Sequence, residues 1–297
     1  MQALTSDRPL FSKSVSVLCW AFNESLLIEG FLRRLNALLA QSVSQYEIVI
    51  VDDCSTDDTK AKIKTLQQEI PQIVLVENPV NMNVGLSQRR AIQAASKDYV
   101  MWQTVDWSYD ISHLRENLEL LKSYDVVAGV RRPATQAAGS WLARIRTFFQ
   151  VFSYDHFTKR SDTLSKAFIS IVNYGLIRTL FHLPVSDYQN VVIYPRELIQ
   201  GFTMETRSSF SNPECLIKAY WLGASIAEVY IPFLRRKAGE AKGTKLKAIV
   251  ASIQDILSLW FRWMILNQRK FVRNGEVKRL TIEDWKAYAR HTACEVA

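Results

Sequence analysis

Cysteine and histidine are scarce in this sequence. Four cysteines (Cys19, Cys54, Cys215 and Cys294) and four histidines are scattered over 297 residues. None stands at metal-ligand spacing, which argues against a zinc module and against a disulfide framework. Ten glycines and eight prolines are too few for a collagen-like or low-complexity chain, and no internal repeat is visible. The N-terminus has no secretory pattern: Met1–Ser14 is polar, and the first apolar run is short and ends in Asn-Glu. Together with the cysteine usage this favours the reducing cytoplasm.

What is present is a globular composition, 48% hydrophobic and 22% charged, long enough for one large or two small domains. The formal charge is +8, and it is unevenly placed. Residues 1–130 hold 12 Lys/Arg against 16 Asp/Glu, a net of −4. Residues 131–182 hold 8 against 2, a net of +6, and residues 231–297 hold 14 against 6, a net of +8. A basic excess suggests an acidic partner: nucleic acid, a phosphorylated substrate or an anionic membrane. No nucleic-acid-binding module accompanies it, so no nucleic-acid partner is expected.

The first half alternates strand and helix signals. Apolar runs at Val15–Ala21, Glu47–Val51, Ile73–Val76, Tyr99–Trp102 and Val126–Val130 predict strands. Helical spacing between them, at Leu26–Leu39 and Leu86–Ala95, predicts a mostly parallel α/β sheet covered on both faces. Further strands are expected at Asn190–Tyr194 and Ser225–Tyr230, with a helix at Glu214–Leu222 closed by Gly223. In such sheets ligands bind at the carboxyl ends of the strands. Asn23-Glu24, Asp52-Asp53, Asp106 and Arg131 all fall there. Any one acidic pair can be helix capping and solvated charge. Three acidic positions at one sheet edge can instead hold a nucleotide's ribose and base donors, together with a hard divalent cation.

Residues 246–266 carry a wide apolar helical stripe, opposed by Lys247, Gln254, Asp255 and Arg262. Those polar groups argue against a membrane span. Two readings stay open: a helix covering the core, or an in-plane interfacial helix with Trp260, Phe261 and Trp263 at headgroup level.

The ordered motifs carry a resemblance. They are Ala21-Phe22-Asn23-Glu24, the run Val51-Asp52-Asp53-Cys54-Ser55-Thr56-Asp57-Asp58-Thr59, and Asn83-x-Gly85 with Arg89-Arg90-Ala91. These resemble family 2 inverting glycosyltransferases of the GT-A fold. Glu214 nine residues before Gly223, Glu228-Val229-x-Ile231-Pro232 and Arg236-x-x-Gly239-Glu240-x-Lys242 are similar to a narrower group. That group is the dolichyl-phosphate mannose synthases and bacterial polyprenyl-phosphate glycosyltransferases. The resemblance implies a GT-A Rossmann-like, mostly parallel sheet flanked by helices, with amphipathic membrane-interfacial helices. The catalytic domain would span 1–245, with an amphipathic insertion at about 134–182 and a basic amphipathic helical segment at 246–297.

It implies roles as well. Phe22, Glu24, Asp52, Asp53 and Arg131 would bind the nucleotide sugar, and Asp106 would be the ligand of Mg²⁺ or Mn²⁺. Ser165, Lys166 and Ser170 would take the acceptor phosphate. Arg236 and Lys242 would close over the reacting phosphates, with Asp187 nearby; Asp187 also reads as a structural cap near Pro184. The family's Asp-x-Asp is Thr104-Val105-Asp106 here, so one carboxylate is missing.

Members that glycosylate a sugar hydroxyl often carry a Glu-Asp pair as general base, since a hydroxyl must lose its proton to attack. The matching place reads Ser211-Asn212-Pro213-Glu214. A phosphate acceptor is already anionic and needs only neutralisation and alignment. The expected reaction is therefore inverting transfer from a nucleotide sugar to a polyprenyl phosphate, by an enzyme peripheral on the cytoplasmic membrane face. A saccharide acceptor, with Asp187 or Glu214 as base, and a non-catalytic nucleotide-sugar binder are the alternatives.

Overall fold

The computed structural model describes residues 10–131, 174–234, 246–267 and 274–285. Eight strands form one sheet in the order β3-β2-β1-β4-β6-β5-β7-β8. They are β1 (Val15–Ala21), β2 (Tyr46–Asp52), β3 (Ile73–Glu77), β4 (Tyr99–Trp102), β5 (Val126–Val130), β6 (Val192–Pro195), β7 (Ser225–Tyr230) and β8 (Glu276–Arg279). Pairings are parallel except at β6, which lies antiparallel between β4 and β5. The mixed α/β sheet has the GT-A arrangement expected of the sequence.

The helices are α1 (Ile28–Ser42), α2 (Thr59–Glu69), α3 (Asn83–Ala94), α4 (Leu114–Glu119), α5 (174–181), α6 (Arg196–Gln200), α7 (Ser211–Trp221) and α8 (Leu246–Trp260). Successive strand residues face opposite sides. In β1, Val15, Val17 and Cys19 enter the core shared with α1 and α2, while Leu18 enters the core shared with α7 and α8. Strands buried on both faces read as continuous apolar runs, and for that reason these were visible in the sequence.

The C-terminal segment 246–297 was expected to be a basic amphipathic helical segment. Among its described residues it is helical at 246–265, ending in a π-helical turn (Phe261–Ile265), and again at 282–285. At 276–279 it is a strand in parallel register with β7. Only the end of the expected insertion, 174–182, is described. There Ile177 and Phe181 are core residues.

Candidate active site

The parallel strands bring their carboxyl ends to one edge, with Ala21 in register with Asp52. Past β1 the chain turns sharply at Asn23, whose φ is +53°. Asparagine and aspartate tolerate this left-handed region better than most residues. The turn is held by the segment after β2. Asn23 N–H donates to Ser55 Oγ (3.0 Å), Glu24 N–H to Thr59 Oγ1 (2.8 Å) and Ser25 N–H to Asp57 (3.2 Å), while Thr56 N–H donates back to Asn23 Oδ1 (2.8 Å). These bonds set the half-buried Phe22 and Glu24 at the edge. Desolvation pushes the Asp57 carboxyl up, but hydrogen bonds from Thr59 and Ser25 outweigh it and bring it to about 2. The Ser/Thr/Asp run serves both the turn and the helix: Asp57 Oδ1 also accepts the N–H of Thr59, the first residue of α2, at 3.0 Å, while Asp58 makes no side-chain capping bond.

Asp52 and Asp53 are both buried, and they differ. Asp53 accepts Met82 N–H (2.7 Å), Asn83 N–H (3.0 Å) and Asn78 Nδ2–H (2.6 Å), so its carboxylate organises the turn leading into α3. Arg90 donates to Asn78 Oδ1 (2.7 Å) and extends that network. Asp52 Oδ2 accepts Ser55 N–H at 3.2 Å, whereas its Oδ1 is buried with no hydrogen-bond partner. A buried acceptor left unpaired costs about 1–3 kcal/mol. Asn78 escaped the sequence reading, and Ser55 and Thr59 entered it only as members of a motif run, because their role is to hold other residues.

Asp106 lies in the turn after β4. Ser108 N–H is shared between Asp106 Oδ1 and Thr104 Oγ1, each at 3.1 Å. Trp107 has φ +54° and its ring carries the Arg34 guanidinium 3.9 Å from its centroid. The strand exit at 231–234 runs alongside: Asp110 N–H donates to Pro232 O (3.0 Å) and Leu234 N–H to Ser108 O (2.8 Å). No group of three or more His, Cys, Asp or Glu capable of holding a metal occurs among the described residues. Mg²⁺ in phosphate sites needs only one or two carboxylates, the rest coming from phosphate and water. One carboxylate with a hydroxyl on the same turn fits that mode and does not fit an all-protein cage.

On the other side of β4, Arg131 and Asp187 form a bidentate pair. Arg131 Nε–H donates to Oδ2 (2.6 Å) and its terminal N–H to Oδ1 (2.8 Å). Burial raises the Asp187 carboxyl. The Arg131 charge and hydrogen bonds, with Gln189 N–H, more than offset this, and it lies below its ordinary value. Glu214 is wholly buried and engaged by Lys218 Nζ (2.7 Å), Glu205 N–H (2.7 Å) and Thr206 N–H (2.9 Å). Ser165, Lys166, Ser170, Arg236 and Lys242 lie outside the described residues.

The C-terminal helix divides its aromatics. Trp263, which the interfacial reading placed at headgroup level, is 3% exposed, packed edge-on against Trp221 and Phe181, with its ring N–H on Glu205 (3.0 Å). Trp260 is half-buried against the same core, and Phe261 is 49% exposed. The helix therefore covers the core with Ile256, Leu259 and Trp263 and presents Val250, Leu257, Phe261 and Ile265 outward. Among the described residues, no helix is long and apolar enough to cross a membrane.

Residues 16–182, more than half of the chain, match the family model for glycosyl transferase family 2. The chain belongs to that family. It is thus a family 2 glycosyltransferase, as the strand-end motifs implied. An uncharacterized glycosyltransferase of Mycobacterium tuberculosis (strain ATCC 25618 / H37Rv) is 26% identical over 227 residues, covering 76% of this chain and 90% of that one. The undecaprenyl-phosphate 4-deoxy-4-formamido-L-arabinose transferase of Sodalis glossinidius (strain morsitans) is 31% identical over 129 residues, 42% of this chain and 39% of that one. The mannosyltransferase PcManGT from Pyrobaculum calidifontis, solved in complex with GDP-Man and Mn²⁺, aligns with a TM-score of 0.52 at 16% identity, over 97% of this chain and 72% of its own. At that identity the likeness shows the shared fold.

Proposed function

We propose that this family 2 glycosyltransferase moves a sugar from a nucleotide sugar to a polyprenyl phosphate, working peripherally on the cytoplasmic face of a membrane. One observation carries the choice of acceptor. The two carboxylates that a saccharide acceptor would need as base, Asp187 and Glu214, are buried and each is locked in an ion pair. A base must receive a proton near neutral pH, and Asp187 is held below its ordinary pKa. An acceptor that is already an anion removes the need. The partial likeness to an undecaprenyl-phosphate transferase supports the same reading, as does the outward apolar stripe of the last helix.

In this reading a lipid-phosphate oxygen forms the new bond to the anomeric carbon. The bond from that carbon to the nucleoside diphosphate breaks, and its electron pair leaves on the diphosphate oxygen, with inversion. Asp52, through its unpaired oxygen, takes a donor from the nucleotide, and Asp53 holds the turn beside it. Phe22 and Glu24 complete the nucleotide side. Arg131, fixed along one edge by Asp187, meets phosphate, and a guanidinium suits that shape. Ser165, Lys166 and Ser170 take the acceptor phosphate, while Arg236 and Lys242 close over the reacting groups. Mg²⁺ or Mn²⁺, held by Asp106 with Thr104 beside it, supplies charge neutralisation to the diphosphate when bound.

The test is a panel of nucleotide sugars with a short polyprenyl phosphate, with and without chelator. Sugar transfer to the lipid is expected for one donor and should fall in chelator. Transfer to a saccharide but to no lipid phosphate would overturn the reading.

A further inference from the structure

Arg131 is held by a loop, and the loop is held by a residue remote from the site. Asp187 reaches Arg131 from the 183–191 segment. That segment is anchored on both flanks of β5. Gly129 N–H donates to Val191 O (2.7 Å) and Asn190 Nδ2–H to Ile231 O (3.1 Å). A Cβ at Gly129 would sit 2.6 Å from Asn190 Oδ1, so the loop lies directly on the strand that leads to Arg131. Tyr109 donates its hydroxyl to Gln189 O, which ties the same loop to the segment beyond Asp106.

At the near end of the loop stands Glu228, on β7, in register with Ala128 of β5 and 1% exposed. Both of its oxygens face Ser186: one accepts the Ser186 N–H, the other the Ser186 hydroxyl at 2.8 Å. Ser186 is the residue immediately before Asp187. Arg279 is the register partner of Glu228 on β8, and its charge acts on the Glu228 carboxylate. A carboxylate buried to this degree is a poor means of stabilising a fold, because an apolar residue of like volume does as well or better. Burial in fact pushes the Glu228 carboxyl up. Its geometry has another use, since a two-point grip on Ser186 sets the direction from which Asp187 approaches the guanidinium.

We infer that Glu228 is a positioning residue for Arg131, acting through Ser186 and Asp187. Its effect on turnover rests on the proposed role of Arg131 at phosphate; its effect on Arg131 itself does not. Misplacing a phosphate-binding group by about 1 Å costs up to about 100-fold in rate.

The experiment compares Glu228→Leu with Glu228→Gln. Leucine removes both acceptors and puts no charge at 228. Glutamine keeps one acceptor for the Ser186 N–H, and its amide donates to the hydroxyl, which turns to accept. Two quantities are read: the Arg131 Nε–H resonance in ¹⁵N-labelled protein, assigned by its loss in Arg131→Lys, and turnover with nucleotide sugar and polyprenyl phosphate. In Glu228→Leu the resonance should lose its protection from exchange and kcat should fall about 10–100-fold, both recovering in Glu228→Gln. A wild-type resonance in folded Glu228→Leu would overturn the inference. Loss of the resonance with unchanged turnover would uphold the positioning and overturn the phosphate role of Arg131. If the leucine variant does not fold, Ser186→Ala, which removes one bond and buries no new charge, must show a smaller fall of the same kind; a resonance unchanged there would likewise overturn the inference.

Discussion

The backbone of Arg207 lies against Gly85 in the first turn of α3: a Cβ at Gly85 would stand 2.5 Å from the Arg207 carbonyl carbon and 2.8 Å from its Cα. The glycine of the Asn-x-Gly motif is therefore needed for a close approach. It lets the 203–208 loop seat on the helix whose N-terminal turn is fixed by Asp53. The same loop is gripped from the other side by Asp255 of α8, which accepts Ser208 N–H at 3.2 Å.

Two glycine substitutions should move stability in opposite directions. Helix propensity favours alanine over glycine by about 0.8–1 kcal/mol. At Gly30 in α1 a Cβ meets nothing within 4 Å, so Gly30→Ala should stabilise by about that amount. At Gly85 the clash is with backbone, and forced shifts of that kind cost about 1–3 kcal/mol, so Gly85→Ala should be destabilising overall. Denaturant midpoints at unchanged slope measure both. A stabilised Gly85→Ala protein would show that the loop moves aside freely.

Asp187 should make stability depend on acidity. Its carboxyl titrates in the folded protein below its ordinary value of 3.8. The folded state thus binds fewer protons than the unfolded one as pH falls. The contribution is complete above the unfolded pKa and is lost as pH drops through the folded one. Asp187→Asn should cost about 3 kcal/mol at neutral pH, because Arg131 is left half-paired. It should also flatten the fall in stability as pH drops below about 5. Urea unfolding at a series of pH values reads both; parallel curves for the two proteins would refute the ion pair's contribution.

How far the sequence revealed this architecture follows from where each signal comes from. Strands β1, β2, β4 and β5 were legible because burial on both faces makes them plain apolar runs. Strand β8, Glu276-Val277-Lys278-Arg279, was not. It is an edge strand whose side chains alternate between exposed and half-buried, and only its bonds to β7 define it. Arg131 and Asp187 were each singled out, but as separate site residues. Their pairing spans 56 positions and depends on β6 entering antiparallel between β4 and β5, which no local pattern announces. Trp260, Phe261 and Trp263 could not all face lipid, since successive helical residues point about 100° apart. The sequence could not say which would turn inward.

That division reshapes the membrane prediction. Leu257 and Phe261 are one turn apart on the outward face, 47% and 49% exposed. Residues 231–297 carry a net charge of +8. Flotation with liposomes should require anionic lipid and fall sharply in the double variant Leu257→Ser, Phe261→Ser, without loss of thermal stability. Trp263→Ser should instead unfold the helix from the core, since removal of a large buried aromatic costs about 3–5 kcal/mol. Equal flotation of the wild type and the double variant would refute the interfacial role.

The Thr104-Val105-Asp106 turn makes a prediction in both directions. Thr104 Oγ1 and Asp106 Oδ1 both accept the same Ser108 N–H, at equal distances of 3.1 Å. The turn thus already aims two side chains at one place, and only one of them carries charge. An aspartate at 104 can accept that N–H as the threonine does and adds a second carboxylate oxygen. Thr104→Asp should therefore tighten Mn²⁺ binding in the presence of a nucleoside diphosphate by about tenfold, worth about 1.4 kcal/mol. Asp106→Asn should weaken it by at least as much and lower turnover with it. Free Mn²⁺ measured by electron paramagnetic resonance reads the affinity without any need for the acceptor. Equal affinity in the wild type and both variants would mean that the cation is held elsewhere.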